Sequence, residues 1–158
     1  MANTVTNRCK AEIVRGTIDW LNNADIKWML ADDVTAYTIS KDTDFVDDGG
    51  SNDLADAEYA GTGYTGGFNG SGRKALASKT LTEDDGNDRA ELDAADPVYS
   101  AIGSGSESIN QIAIIDETSQ SADNAVDVLA IFDSNLPVTT NGGDVTFSPD
   151  AQGILQFT

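Results

Sequence analysis

No histidine occurs anywhere in the 158 residues. That absence excludes Ser-His-Asp and Cys-His catalysis and every imidazole-based metal site. There is one cysteine, Cys9, so no internal disulfide forms. Cys9 lies on the apolar stripe of a helical pattern and reads as a small buried hydrophobe. Basic residues are scarce: 9 Lys and Arg stand against 27 Asp and Glu, a net charge of −18. Such a surface repels nucleic acid and anionic membranes, so neither is expected as a partner. No stretch approaches the ~20 apolar residues of a membrane helix. The opening "MANTVTNRCK" is polar where a secretory signal is apolar, so synthesis in a cytoplasm is expected. Aromatics make up 7%, which leaves few platforms for sugar stacking.

The acidity has two ordinary causes. One is adaptation to high salt, where a Debye length of ~3 Å at molar ionic strength relieves self-repulsion. The other is a partner with a basic face. The length favours a single domain over 1–158, able to bury a core without disulfides.

The pattern predicts one helix, within residues 1–18. Asn3 or Thr4 is placed to cap it. Val5, Cys9 and Ile13 share a stripe, and Gly16 is a natural stop. A β-sandwich is expected over 25–158. "DIKWMLA" puts Ile26, Trp28 and Leu30 on one face of a strand, and "VTAYTIS" reads as a second strand. Residues 41–57 form an acidic loop. "RKALASKTLT" alternates like a strand, "EDDGNDR" turns it, and "AELDA" returns. "DPVYS" is a further short segment. "SINQIAIIDE" and "AVDVLAIF" are near-continuous apolar runs, expected as central strands buried on both faces. "NGGDVTF" and "GILQF" read as a last hairpin across "SPDAQ". One helix before about eight short strands at regular spacing is the pattern of an antiparallel sandwich or jelly roll.

The glycine-rich stretch 61–72 holds G-x-G-x-x-G through Gly61, Gly63 and Gly66. A dinucleotide site needs a strand before that motif and a helix after it. A strand-like run follows instead, so the glycines are expected to supply turns. Two acidic clusters invite a calcium reading: Asp42, Asp44, Asp47 and Asp48, and Asp84, Asp85, Asn87 and Asp88. Neither has the ligand order of a calcium loop, and in so acidic a chain both read as solvated loops. No carboxylate pair stands out as hydrolytic. No enzymatic activity, metal or cofactor is expected.

The order of segments says more than any one motif. A helix leads into "TIDWLNNADIKWML". Then come "GTGYTGG", "KALASKTLTEDD", "LDAADPVY", "INQIAIIDE", "VLAIFDS" and "TTNGGDVTFSPDAQGIL". This order resembles a family of small virion structural proteins of tailed phages, over nearly the whole chain. "GTGYTGG" and "TTNGGDVTFSPDAQGIL" are the most specific parts. One departure is Pro97-Val98-Tyr99, where the family pattern has Val or Ile with a Trp nearby.

The resemblance implies a capsid decoration (cement) protein on the outer surface of a tailed-virus head. Its partner there is the major capsid protein, and a symmetric homo-oligomer suits the capsid axes. A saline host fits the acidity. The alternative is a tail or fibre protein with a receptor-binding role; a weaker one is a free calcium- or glycan-binding module. The long loops 41–57 and 61–72 are the expected contact elements. Within or beside them, Tyr59, Tyr64, Phe68 and Arg73 are candidates because aromatics and Arg are enriched in interface cores. The competing reading packs Tyr59 and Tyr64 under their own loop. Asp47, Asp48, Asp84 and Asp85 are candidates for meeting basic patches.

Overall fold

Strand β2 (Ile26–Asp32) shows how the molecule is organised. Ile26, Trp28 and Leu30 join one apolar cluster, while Met29 and Ala31 join another on the opposite face. The main sheet is therefore buried on both sides. The computed structural model describes residues 4–32, 37–50, 53–104, 108–149 and 153–157. In chain order the other elements are β1 (Thr4–Val5), α1 (Asn7–Arg15), β3 (Lys74–Ala75), β4 (Thr80–Asp84), β5 (Arg89–Asp93), β6 (Val98–Tyr99), β7 (Ser108–Asp116), β8 (Asp127–Phe132), β9 (Val138–Thr139), β10 (Val145–Thr146) and β11 (Leu155–Phe157).

The main sheet runs β1-β8-β7-β2-β3, with β9 continuing along β7 beyond β8. All its pairings are antiparallel. The two long apolar runs are its central strands, as the sequence predicts. A register shift between Ile114 and Ile115 leaves Leu129 as an extra residue on β8. Leu129 and Ala130, adjacent in sequence, then both enter the first cluster, the usual effect of a bulge. That cluster also takes Leu92 of β5, Leu155 of β11, Tyr99 of β6 and Cys9 of α1. The small sheets β11-β5-β4 and β10-β6 thus supply a second layer with α1, and the fold is a mainly β, sandwich-like one with one helix near its N-terminus. The second cluster is closed by the acidic loop, through Val46, Leu54 and Ala57.

Several local expectations are corrected. Thr6, not Asn3 or Thr4, caps α1: its Oγ1 accepts from Cys9 N at 3.0 Å and donates to Val128 O at 2.5 Å. Thr4 and Val5 are paired with β8 instead, and Asn3 lies outside the described residues. The helix ends at Arg15, short of residue 18, because Gly16 adopts φ 74° and turns its N–H back onto Glu12 and Ile13. Of the strand expected at 34–40, residues 37–40 are irregular and the earlier ones lie outside the described set. "RKALASKTLT" is not one strand. Ser78, at φ 52°, breaks it into β3 in the main sheet and β4 in a small one. "NGGDVTF" and "GILQF" do not form a hairpin either: β10 pairs with β6, and β11 with β5. Packing decides this. Phe147 meets Tyr99 edge-on at 6.1 Å, and Leu155 sits opposite Leu92.

Cys9 is fully buried, and burial pushes its thiol pKa up to about 12. A thiol-specific alkylating reagent at about pH 8, where only the thiolate reacts, should therefore leave the native protein unlabelled and modify it fully in denaturant. Ready labelling of the native state would place Cys9 at the surface.

Candidate functional site

The glycine-rich stretch is a packed loop. Its backbone is closed by Tyr64 N on Gly61 O, Gly70 N on Gly67 O and Gly72 N on Thr65 O. A Cβ at Gly72 would lie 2.5 Å from the Tyr64 ring, so no larger residue fits there. Tyr59 and Tyr64 meet edge to face at 5.7 Å, and Tyr64 continues to Tyr99 at 6.1 Å. The aromatic residues of this stretch thus pack inward, beneath their own loop.

Beside them sits Arg73, whose side chain has no solvent exposure. Its Nε and Nη2 donate to the two oxygens of Glu58 at 2.8 and 2.7 Å, the bidentate fork that suits a guanidinium. Nη1 donates to Glu117 at 2.9 Å and to Asp123 at 2.5 Å. Lys27 Nζ reaches the other Glu117 oxygen at 2.5 Å. Glu58 also accepts from Tyr64 Oη and Gly67 N, each at 2.8 Å. Tyr64 Oη in turn accepts from Leu30 N at 3.3 Å. One cluster therefore ties the loop to β2 and to the segment after β7.

The electrostatics follow from this geometry. Burial works against the charge on Arg73, but its carboxylate partners outweigh burial and hold its pKa above the ordinary arginine value. Burial likewise raises the Glu117 carboxyl, yet Lys27 and Arg73 bring it below its usual value. Both stay charged at neutral pH. The carboxylates facing Arg73 are engaged by cations and N–H groups, an arrangement that fixes structure. A shallow concavity of about 490 Å3 opens over Glu58 and Asp123. A groove of about 480 Å3, walled by Phe132, Leu136, Val138 and Phe147, has no titratable side chain in its lining. Among the described residues, no group of three or more Cys, Asp or Glu is placed to hold a metal ion.

The structure places the eight sequence candidates in different settings. Tyr59, Tyr64 and Arg73 are buried, and their contacts are with this chain's own core. Phe68 is half-buried against the second cluster. Asp47 accepts from Gly49 N at 2.8 Å and Asp48 from Phe45 N at 3.1 Å, so both also shape their own loop. Asp84 takes Asn87 Nδ2 at 2.6 Å and lies 3.3 Å from Arg89 Nε. Asp48 and Asp85 are exposed, and Asp47 and Asp84 partly so. Sequence reasoning missed Glu58, Glu117, Asp123 and Lys27. The one available signal was the pair Asp116 and Glu117, two charges directly after an apolar run.

A second convergence involves the glycine-rich stretch and the segment TTNGGD from Thr139 to Asp144. Gly103 N donates to Thr62 O at 2.7 Å, Gly142 N to Ile102 O at 3.1 Å, and Ile102 N to Gly143 O at 3.0 Å. Tyr59 Oη lies 3.3 Å from Thr140 Oγ1. The stretches beginning at Gly61 and Thr139 therefore meet across Ile102 and Gly103. No family model matches the chain, and no curated protein or solved structure is detectably similar to it.

Proposed function

We propose that the protein is a capsid decoration (cement) protein on the outer surface of a tailed-virus head, where it staples neighbouring major capsid subunits as a small symmetric oligomer. The observation that carries this reading is the convergence around Ile102 and Gly103. The two motifs on which the resemblance to small virion proteins rests most, GTGYTGG and the segment from Thr139, lie far apart in the chain and support each other physically here. The frame also suits the role. The acidic loop is pinned by the buried Val46, Leu54 and Ala57, so the exposed carboxylate of Asp48 is presented on a fixed loop, which limits the ordering cost of binding. A charge of −18 is tolerable outside a shell, away from packaged DNA. Modest contacts repeated over a closed shell sum to firm attachment.

The test is a cryo-EM map of purified particles, paired with heating of particles stripped of the protein. We expect many copies over the shell, and stripped particles that keep their size but release DNA at lower temperature. A few copies on the tail, with normal heat resistance and failed adsorption to cells, would replace this reading with the receptor-binding one.

A further inference from the structure

Strand edges expose unpaired backbone groups, and most of the long edges in this fold are covered. The far side of β2 is closed where Asp32 N donates to Ala57 O and Tyr59 N to Leu30 O. The outer side of β8 is covered by β1 and by Val128 N on Asp44 O. Strand β4 is different. It pairs with β5 alone, and among the described residues no other strand lies along its second edge. Among the described residues it is the longest strand with a strand partner on one side alone. Four of its five residues are exposed.

The surroundings of this edge are specific. Trp20 Nε1 donates to Thr80 O at 3.1 Å, which closes one end and leaves Leu81 to Asp84. Leu81 is 53% exposed, and Leu21, next to Trp20, is 49% exposed. On the sheet face that rests on the core, Leu81 continues the row Leu155, Leu92. That row ends in solvent where one more strand would complete it. On the opposite face the ladder carries Thr82 beside Glu91 and Asp84 beside Arg89. Glu83, Asp85, Asp88 and Asp93 add negative charge around it, and Arg89 is already engaged by Asp84 and Glu91.

We propose that the outer edge of β4 takes an extended segment of another protein as an added antiparallel or parallel strand, alternating apolar with Lys or Arg side chains. Backbone hydrogen bonds supply affinity in such pairing, and alternate side chains supply selectivity. An apolar residue beside Leu81 extends the row Leu155, Leu92, Leu81, and basic residues on the other face meet Asp84 and Glu91. Charge decides against a second copy of this chain, because β4-to-β4 pairing would bring two acidic hairpins together. The inference stands apart from the decoration reading; on that reading, the segment belongs to the major capsid protein.

The experiment uses the isolated protein and three short peptides: one alternating valine and lysine, the same peptide N-methylated at every second residue along one edge, and one alternating valine and glutamate. Binding is read by fluorescence anisotropy in dilute buffer, and amide exchange is read residue by residue. We expect the valine–lysine peptide to bind and to slow exchange within Leu81–Asp84. We expect the N-methylated peptide to bind at least about tenfold more weakly, the equivalent of one or two lost backbone hydrogen bonds, and Thr82→Lys, which puts a positive charge on the face of Asp84 and Glu91, to weaken the parent peptide. Equal binding of the N-methylated peptide would reduce the effect to bulk charge and overturn the proposal. Protection elsewhere, no binding, or protection of β4 that appears with protein concentration alone would also overturn it. The last outcome would assign the edge to a second copy. Because no particle takes part, failure here leaves the decoration reading untouched, and a particle map that placed the protein on the tail would leave the strand-addition result standing.

Discussion

Arg73→Ala should lower unfolding stability by about 3–5 kcal/mol, the usual cost of removing one partner from a buried charge cluster. The variant leaves Glu58, Glu117 and Asp123 facing one another with only Lys27 close by, on Glu117. It also opens a hole where a fully buried side chain stood. The pH dependence separates charge from volume. The Glu117 carboxyl is held below its ordinary value in the folded protein. A group with a depressed folded pKa contributes stability that is present above its unfolded pKa, about 4.3, and is lost as pH falls through the folded value. Wild type should therefore lose this contribution on acidification. In the variant Glu117 keeps only Lys27 as a cationic partner, so it should protonate more readily and the gap between the two proteins should narrow from pH 7 towards about pH 4. Urea denaturation at both pH values measures it. A loss below about 1 kcal/mol, typical of an exposed ion pair, would mean that water reaches the cluster. A gap that stays constant with pH would assign the loss to packing.

Trp28→Ala should be about as damaging, at roughly 3–5 kcal/mol for a large buried aromatic. Trp28 is 1% exposed, lies 6.5 Å from the Phe132 ring, and sits on β2 between β3 and β7. Leu81→Ala is the matched control. Its side chain is half in water, and changes at such sites usually stay within about 0.5 kcal/mol. Midpoints of thermal or urea unfolding compare the two. A large loss for Leu81→Ala would show that the side chain already has a partner within the chain.

The parts of this architecture that are legible in the sequence are those set by near neighbours. The continuous apolar runs of β7 and β8 announce strands covered on both faces. Gly16 marks the end of α1, and the residues after Glu83 mark the β4–β5 turn. Strand partners were less legible. Nothing local tells Val145 to seek Tyr99, or Leu155 to seek Leu92, because the preference arises from side chains that meet only once the sheet exists. The break at Ser78 was hidden for a related reason: alternation continues across it, while the backbone turns. Arg73 was legible as a notable residue but not in its orientation. Arginine is a good interface residue and also a good buried clamp. The choice between those roles rests on Glu58, Glu117 and Asp123, which are 15, 44 and 50 positions away in the chain.

The turn at Ser78 also has a mechanical meaning. The stretch from Lys74 to Asp84 is a tie bar between two sheets, and its fastening to the larger one is slight. It consists of the pairs Lys27 with Ala75 and Trp28 with Lys74, and the bond from Leu76 N to Ile26 O. The main sheet behind it is held by a register of seven residue pairs between β2 and β7. A pull on the β4–β5 turn therefore meets its weakest link at β3. Under load β3 should part from β2 first, while β5 stays held by β11 and the buried Leu92, and the double-sided sheet and the arginine clamp keep their shape.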